Sequence, residues 1–232
     1  MKNISLFKII TLSAALFSYQ SYAQYTLGQS CKNGKAYLAG GEALGYVKAK
    51  GPTHAIVNTK VEFTGDTNLG FFEDIKFYYE ADYYATDQAN IQGVAYKTIP
   101  LNGLGVKWIT ATWGSACSYT EVVVHNAPYI INTSLIGGST ITTSITSRVD
   151  SNSKGQGLRN ITYTYKNLDY NMTETYKVSS SLSSVTTNFN PTYNGEYSVS
   201  VSLSDGLYYD GAILGTVYYG GGQECTSCGN IN

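Results

Sequence analysis

Beyond residue 44 the chain alternates between apolar and polar positions. Thr59-Lys60-Val61-Glu62-Phe63 and Ile75-Lys76-Phe77-Tyr78-Tyr79 both do so. Gly105-Val106-Lys107-Trp108-Ile109-Thr110-Ala111-Thr112-Trp113 is a further run rich in β-branched and aromatic residues, and Tyr119-Thr120-Glu121-Val122-Val123-Val124 another. Segments of period two, bounded by Gly, Asn and Asp, predict strands with one face buried. No window of helical length carries a 3.6-residue apolar stripe, and only Ala81 to Ile91 has room for a short helical turn. The pattern predicts an all-β protein.

At Asn126-Ala127-Pro128-Tyr129 the pattern pauses, as at a hinge, and then begins again. Thr59-x-Val61 matches Thr143-x-Ile145, and Asp66-Thr67-Asn68 matches Asp150-Ser151-Asn152. Ile75-Lys76-Phe77-Tyr78-Tyr79 matches Ile161-Thr162-Tyr163-Thr164-Tyr165. Gly105 to Thr110 lies beside Gly195 to Ser200, and Val122-Val123-Val124 beside Val217-Tyr218-Tyr219. Five blocks in one order, with spacings that differ only by loop-sized amounts, predict two copies of one architecture.

Asn190-Pro191-Thr192-Tyr193-Asn194-Gly195-Glu196-Tyr197-Ser198-Val199-Ser200-Val201 resembles the late strand of immunoglobulin-like and PKD-like domains of bacterial surface proteins. In those domains a Gly-x-Tyr-x-Val element follows a turn. The resemblance implies two tandem Ig-like antiparallel β-sandwiches, with Tyr197 as a core-facing tyrosine near a sheet corner. In the first half it puts Trp108 in that place. The Asp-Gly-rich motif usual in PKD domains is missing, and the resemblance implies no activity.

The N-terminus bears on compartment. Lys2 and Lys8 precede a short apolar run from Ile9 to Phe17, and Ser21-Tyr22-Ala23 offers small residues at the −3 and −1 positions before Gln24. This is the order of a secretory signal peptide, and the run is too short to span a bilayer. Cys31 follows Gly28-Gln29-Ser30, which is no lipid-attachment pattern. The expected division is a signal peptide over 1–23, a first Ig-like domain with an N-terminal segment over 24–126, a second Ig-like domain over 127–220, and a Gly- and Cys-containing tail over 221–232. Removal of the signal leaves about 210 residues, enough for two sandwiches of ~100 residues each. The expected location is outside the cytoplasm: periplasm, cell surface or medium.

Charged residues make up 13% of the chain and the formal net charge is −1. Such a balance argues against nucleic acid, which clustered Lys and Arg would bind. Four cysteines, Cys31, Cys117, Cys225 and Cys228, lie after the signal. An even number in an exported chain reads as two disulfides. Three connectivities are open; the favoured one joins Cys31 to Cys117 and Cys225 to Cys228. The latter pair stands in a glycine-rich tail with no helix to activate a thiolate, so it reads as structural.

No catalytic constellation emerges. The two histidines, His54 and His125, have no Gly-x-Ser-x-Gly elbow to serve, and no His-x-x-x-His spacing offers a zinc site. His54 falls in a polar turn, and His125 at a strand end, where an exposed or interdomain hydrogen-bonding role is expected. The close carboxylates Glu73-Asp74, Glu80/Asp82 and Asp205/Asp210 read as solvated turn and strand-face residues, with Glu80 and Asp82 on one face. No catalytic residue, metal or cofactor is expected.

The tyrosines, 22 in all, are the one feature that points to a partner outside the chain. Tyr78-Tyr79-Glu80-Ala81-Asp82-Tyr83-Tyr84 packs four of them among two acids, and neighbours in a strand face opposite sides, so about half must leave the core. Tyr208-Tyr209 and Tyr218-Tyr219 repeat the arrangement. Exposed phenol rings give flat, amphipathic contact area at low entropic cost. The candidate ligand contacts are Tyr78, Tyr79, Tyr83, Tyr84, Tyr208 and Tyr209. The expected function is a secreted or surface-associated, non-enzymatic binding or structural protein of adhesin-like or matrix type. Its expected partner is a protein or glycan at the cell surface. The alternative is a carbohydrate-binding accessory protein whose Tyr78–Tyr84 segment stacks on sugar; a secreted β-sandwich hydrolase or lyase ranks third.

Overall fold

The computed structural model describes residues 35–37, 43–68, 72–114 and 116–220. The signal segment and Cys31, Cys225 and Cys228 lie outside them. Every regular element among the described residues is a strand, and the chain divides into two units, Met1–Val124 and His125–Asn232.

The first unit is built from β1 (Lys35–Tyr37), β2 (Ala43–Lys50), β3 (His54–Ile56), β4 (Thr59–Thr67), β5 (Asp74–Tyr79), β6 (Asp82–Gln88), β7 (Val94–Leu101), β8 (Gly105–Trp113) and β9 (Ala116–His125). They form a four-stranded sheet, β1-β2-β4-β7, and a five-stranded sheet, β3-β9-β8-β5-β6. Alternation puts Phe63, Ile75, Phe77, Ile99, Leu101, Ile109, Val122 and Val124 into one buried core. Gly65 lets the layers approach: a Cβ there would lie 2.7 Å from Ile75 Cγ2. The segment from Ala81 that had room for a helical turn instead forms β6. Glu80 and Ala81, both at positive φ (49° and 79°), make the two-residue hairpin turn before it.

The second unit consists of β10 (Tyr129–Ile136), β11 (Ile141–Arg148), β12 (Arg159–Asn167), β13 (Thr173–Ser180), β14 (Ser184–Phe189), β15 (Gly195–Ser204) and β16 (Tyr209–Tyr219). Its sheets are β10-β11-β14 and β13-β12-β15-β16. Lettered in chain order, these are A-B-E and C′-C-F-G, an immunoglobulin-type arrangement of two antiparallel sheets. The core is unusually aromatic. Tyr163, Tyr165 and Tyr197 are fully buried beside Ile141, Ile145, Ile161, Val199 and Leu203. Tyr165 also stacks on Phe189 with ring centroids 4.1 Å apart.

The first unit follows the same plan. Its β2, β4 and β7 take the places of A, B and E, and β6, β5, β8 and β9 those of C′, C, F and G. β1 is an added edge, and β3 joins the opposite sheet beside β9. Each strand block matched in sequence falls on equivalent strands: β4 with β11, β5 with β12, β8 with β15, and β9 with β16.

Tyr197 is the corner tyrosine that the resemblance implied. Its hydroxyl donates to the Tyr193 carbonyl at 2.7 Å, tying the start of β15 to the turn before it. The first unit differs. Ile109 and Ala111 face the core, so Trp108 lies on the outer face. Lys107, two residues after its glycine as Tyr197 is after Gly195, holds the inward place. The corner is tied instead by Tyr79 from β5, whose hydroxyl donates to the Asn102 carbonyl at 3.0 Å.

Candidate functional site

Strand register splits the Tyr78–Tyr84 cluster. On β5, Ile75 and Phe77 face the core, which turns Tyr78 outward and Tyr79 inward. A bulge in the β5–β6 pairing takes Tyr84 out of the ladder, with Tyr83 opposite Tyr78. Tyr84 reaches the edge of the other sheet, where its hydroxyl donates to the Thr98 carbonyl at 3.4 Å. Only Tyr78 and Tyr83 therefore share a face. Their rings meet edge to face, 5.8 Å between centroids and 76° between planes.

That face carries more than the sequence cluster. Tyr78 pairs with Thr110 on β8, and Thr110 with Tyr119 on β9, which makes one cross-strand row: Tyr83, Tyr78, Thr110, Tyr119. Thr110 points outward yet is only 3% exposed, as a small residue covered by larger neighbours must be. Trp108, opposite Glu121, and Val106, opposite Val123, extend the row along β8. The result is an aromatic and apolar strip on the outer face of a five-stranded sheet, with Tyr83 60% exposed at its open end. The Tyr83 hydroxyl, 3.0 Å from Thr86 Oγ1, holds that ring in place. Lys76 and Glu121 supply charge around it. Tyr119 lies outside any local cluster and the resemblance puts Trp108 at a core-facing corner, so neither stands among the contacts read from the sequence. Only the pairing of β8 with β5 and β9 brings them to Tyr78.

On the other side of β8 from the strip, Lys107 Nζ donates to both carboxylate oxygens of Glu80, at 3.1 and 3.2 Å. This pair ties β8 to the β5–β6 turn; Glu80 and Asp82 do not share a strand face as expected, because Glu80 is a turn residue and Asp82 starts β6. Burial raises the Tyr79 hydroxyl above its usual pKa, with the nearby Lys107 charge opposing. Tyr79 is a structural tie rather than a surface contact. Glu73 accepts from Trp113 Nε1 at 2.7 Å.

In the second unit Tyr208 packs edge to face on His125, 5.9 Å between centroids, while Tyr209 stands 79% exposed. His125 itself is fully buried, which rules out the exposed role expected of it. Its Nδ1 lies 3.0 Å from the Asn126 carbonyl and 3.7 Å from Asp205 Oδ2. Asp205 closes a turn by accepting from the Leu207 and Tyr208 amides. Asp210 accepts from the Ile130 amide instead, so the two acids serve separate tasks. Asp150 accepts from the Asn152 amide and from both the amide and side chain of Asn126. Burial would raise its pKa, but these bonds and the nearby His125 outweigh it and hold it below the usual value. His54, expected in a turn, lies on β3.

Cys117 is disulfide-bonded, with its partner outside the described residues. Among the described residues no three His, Cys, Asp or Glu side chains come together as a metal group, and no helix is long and apolar enough to cross a membrane.

No protein-family model and no curated protein matches the chain. Among solved structures, it is similar to the D0-D1 domain of intimin, at 15% identity and TM-score 0.32, over 76% of this chain and 99% of that one. It is also similar to a C-terminal fragment of intimin in complex with the intimin-binding domain of its translocated receptor. There the identity is 16% and the TM-score 0.44, over 74% of this chain and 62% of that one. A third likeness is to invasin, a bacterial integrin-binding protein, at 11% identity and TM-score 0.33, over 75% of this chain and 39% of that one. The immunoglobulin-type assignment rests on the strand order of the two units.

Proposed function

We propose that the chain is an exported, non-enzymatic binding protein of adhesin-like kind, whose first unit docks a protein partner on the outer face of β6-β5-β8-β9. The observation that carries this is the row of Tyr83, Tyr78 and Tyr119 with Trp108 and Val106. Tyrosine and tryptophan at the centre of a sheet face, with Lys76 and Glu121 about them, have the composition of protein-binding surfaces. Each ring is already held by its strand, which keeps the ordering cost of binding low. In this reading the two units are separate domains, and the chain acts outside the cytoplasm.

Sugar stacking is the second reading, favoured by the exposure of Tyr83 and the hydroxyls of Thr86 and Thr112 nearby. The crossing of Tyr78 and Tyr83 at 76° weighs against it, because the two rings offer no common plane to a flat glycan. The mature, oxidised protein is to be tested in parallel on arrays of cell-surface proteins and of glycans, beside a Tyr83→Ala variant. Saturable binding to a protein, reduced about tenfold or more in the variant, supports docking. Binding to glycans alone replaces it with the second reading. Silence on both arrays, or binding indifferent to Tyr83, refutes both.

A further inference from the structure

One end of the second unit presents a second patch, unconnected in sequence with the first. Leu168, Tyr170 and Met172 lie in the turn between β12 and β13, and Tyr193 in the turn before β15. Tyr170 is 63% exposed, and Leu168, Met172, Tyr193 and Tyr218 are between 42% and 46% exposed. Tyr170 and Tyr193 are neighbours, with ring centroids 5.6 Å apart. Tyr218, on β16, pairs across the sheet with Glu196, whose carbonyl accepts from the Leu168 amide at 2.8 Å. With ~200 Å² for each large side chain, the five expose about 480 Å², the size at which an apolar patch on a monomer is often functional.

These turns are fixed rather than loose. Asn167 Oδ1 accepts from the amides of Asp169 and Tyr170, both at 2.9 Å. Asp169 Oδ2 accepts from the Glu196 amide at 3.2 Å. The Glu174 carboxylate accepts from the Thr192 amide at 3.2 Å and hydroxyl at 3.0 Å. Tyr197 holds the Tyr193 carbonyl from beneath. Loop-borne aromatic rings on a rigid support are the arrangement that binding sites on β-sandwiches use.

Charge selects the occupant. Asp169, Glu174 and Glu196 form no ion pair with any described residue, and Lys166 is the single basic residue in the stretches Lys166–Glu174 and Phe189–Glu196. We infer that this end of the second unit docks a protein segment that combines aromatic or leucine side chains with lysine or arginine. A second copy docked through the same patch would set carboxylates against carboxylates, which disfavours self-association there.

The probe is a set of labelled synthetic peptides that alternate Leu, Tyr or Trp with Lys or Arg, beside a matched set with Glu at the basic positions. Binding to the full mature, oxidised protein is read by fluorescence anisotropy. Saturable binding of basic peptides is expected, weakened about tenfold by Tyr170→Ala with Tyr193→Ala and about threefold by Glu196→Gln. Ile213→Ala, further along β16, is expected to leave it unchanged, and far-ultraviolet circular dichroism checks that each variant folds. Failure of every basic peptide to saturate overturns the inference, as does equal binding by the double variant or by the acidic set. Concentration-dependent self-association abolished by the double variant would also overturn it, in favour of a second copy as occupant.

Discussion

Tyr197→Phe tests the account of the second unit most directly, because it removes one oxygen and leaves the buried ring. The lost hydroxyl donates to the partly buried Tyr193 carbonyl at 2.7 Å. A net hydrogen bond contributes about 1 kcal/mol, and a carbonyl left partly shielded from water adds up to about 1 more, so the expected loss is about 1–2 kcal/mol. Tyr79→Phe is the internal control. Its acceptor, the Asn102 carbonyl, is solvent-exposed and can rebind water, which limits the expected loss to about 0.5 kcal/mol. The assay is urea unfolding of the oxidised protein, with the two transitions fitted separately. With a slope of about 1.5 kcal/mol per molar, the Tyr197→Phe midpoint should fall by about 1 M for one transition and leave the other in place. Equal losses in the two variants, or a Tyr197→Phe midpoint within about 0.2 M of the parent, would refute the reasoning that a shielded corner bond stabilises this unit.

Gly65→Ala should destabilise the first unit by about 1–3 kcal/mol, since the new Cβ would lie 2.7 Å from Ile75 Cγ2 and 3.3 Å from the Ala111 Cβ. Gly211→Ala, whose Cβ meets nothing nearer than 3.4 Å, should change stability by less than about 0.5 kcal/mol, and thermal unfolding of both checks the contrast. Asp150, held below its usual pKa, stabilises the second unit fully above the unfolded carboxylate value of ~3.9, and this contribution is lost as the pH falls through the lower folded value. Asp150→Asn should therefore lower the urea midpoint near neutrality and flatten its fall in acid; parallel profiles for parent and variant would contradict this. For Cys117, peptide mapping without reduction is expected to show Cys31 as its partner and Cys225 joined to Cys228. β1 begins shortly after Cys31 and pairs Lys35 with Tyr46, and three residues further along β2 the Ala49 amide donates to Ser118 Oγ, next to Cys117. Recovery of Cys117 linked to Cys225 or Cys228 would sink that pairing.

Alternation was enough to find the strands that carry most of the two cores, β4, β5, β8 and β9 and their counterparts in the second half, because side-chain period is a local property of extended backbone. Four of the five blocks matched in the one-dimensional chain fall on equivalent strands, and the fifth sets the end of β4 beside the turn that follows β11. The role of Tyr197 followed from the resemblance, whose glycine, turn and tyrosine are contained in one short stretch. Local reading went astray where a single register step or a distant neighbour decides the outcome. Trp108 and Lys107 exchange faces with a shift of one residue. Ala81 sits in a tight hairpin turn because β5 and β6 pair, although its sequence allowed a helical turn.

The candidate surface belongs to tertiary structure for the same reason. Tyr78 and Tyr83 are close in sequence, but Tyr79 and Tyr84 are diverted by facing and by a bulge, one into the corner and the other across to β7. Tyr119 and Trp108 join through cross-strand pairing that no local pattern encodes. Likewise His125, for which an exposed or interdomain role was expected, is buried, with Tyr208 and Asp205, some eighty residues away in sequence, packed about it. What a strand is, and which way its apolar side faces, is set by neighbours along the chain. Which side chains then meet is set by strand order and register, and those depend on which arrangement of all the strands buries the core.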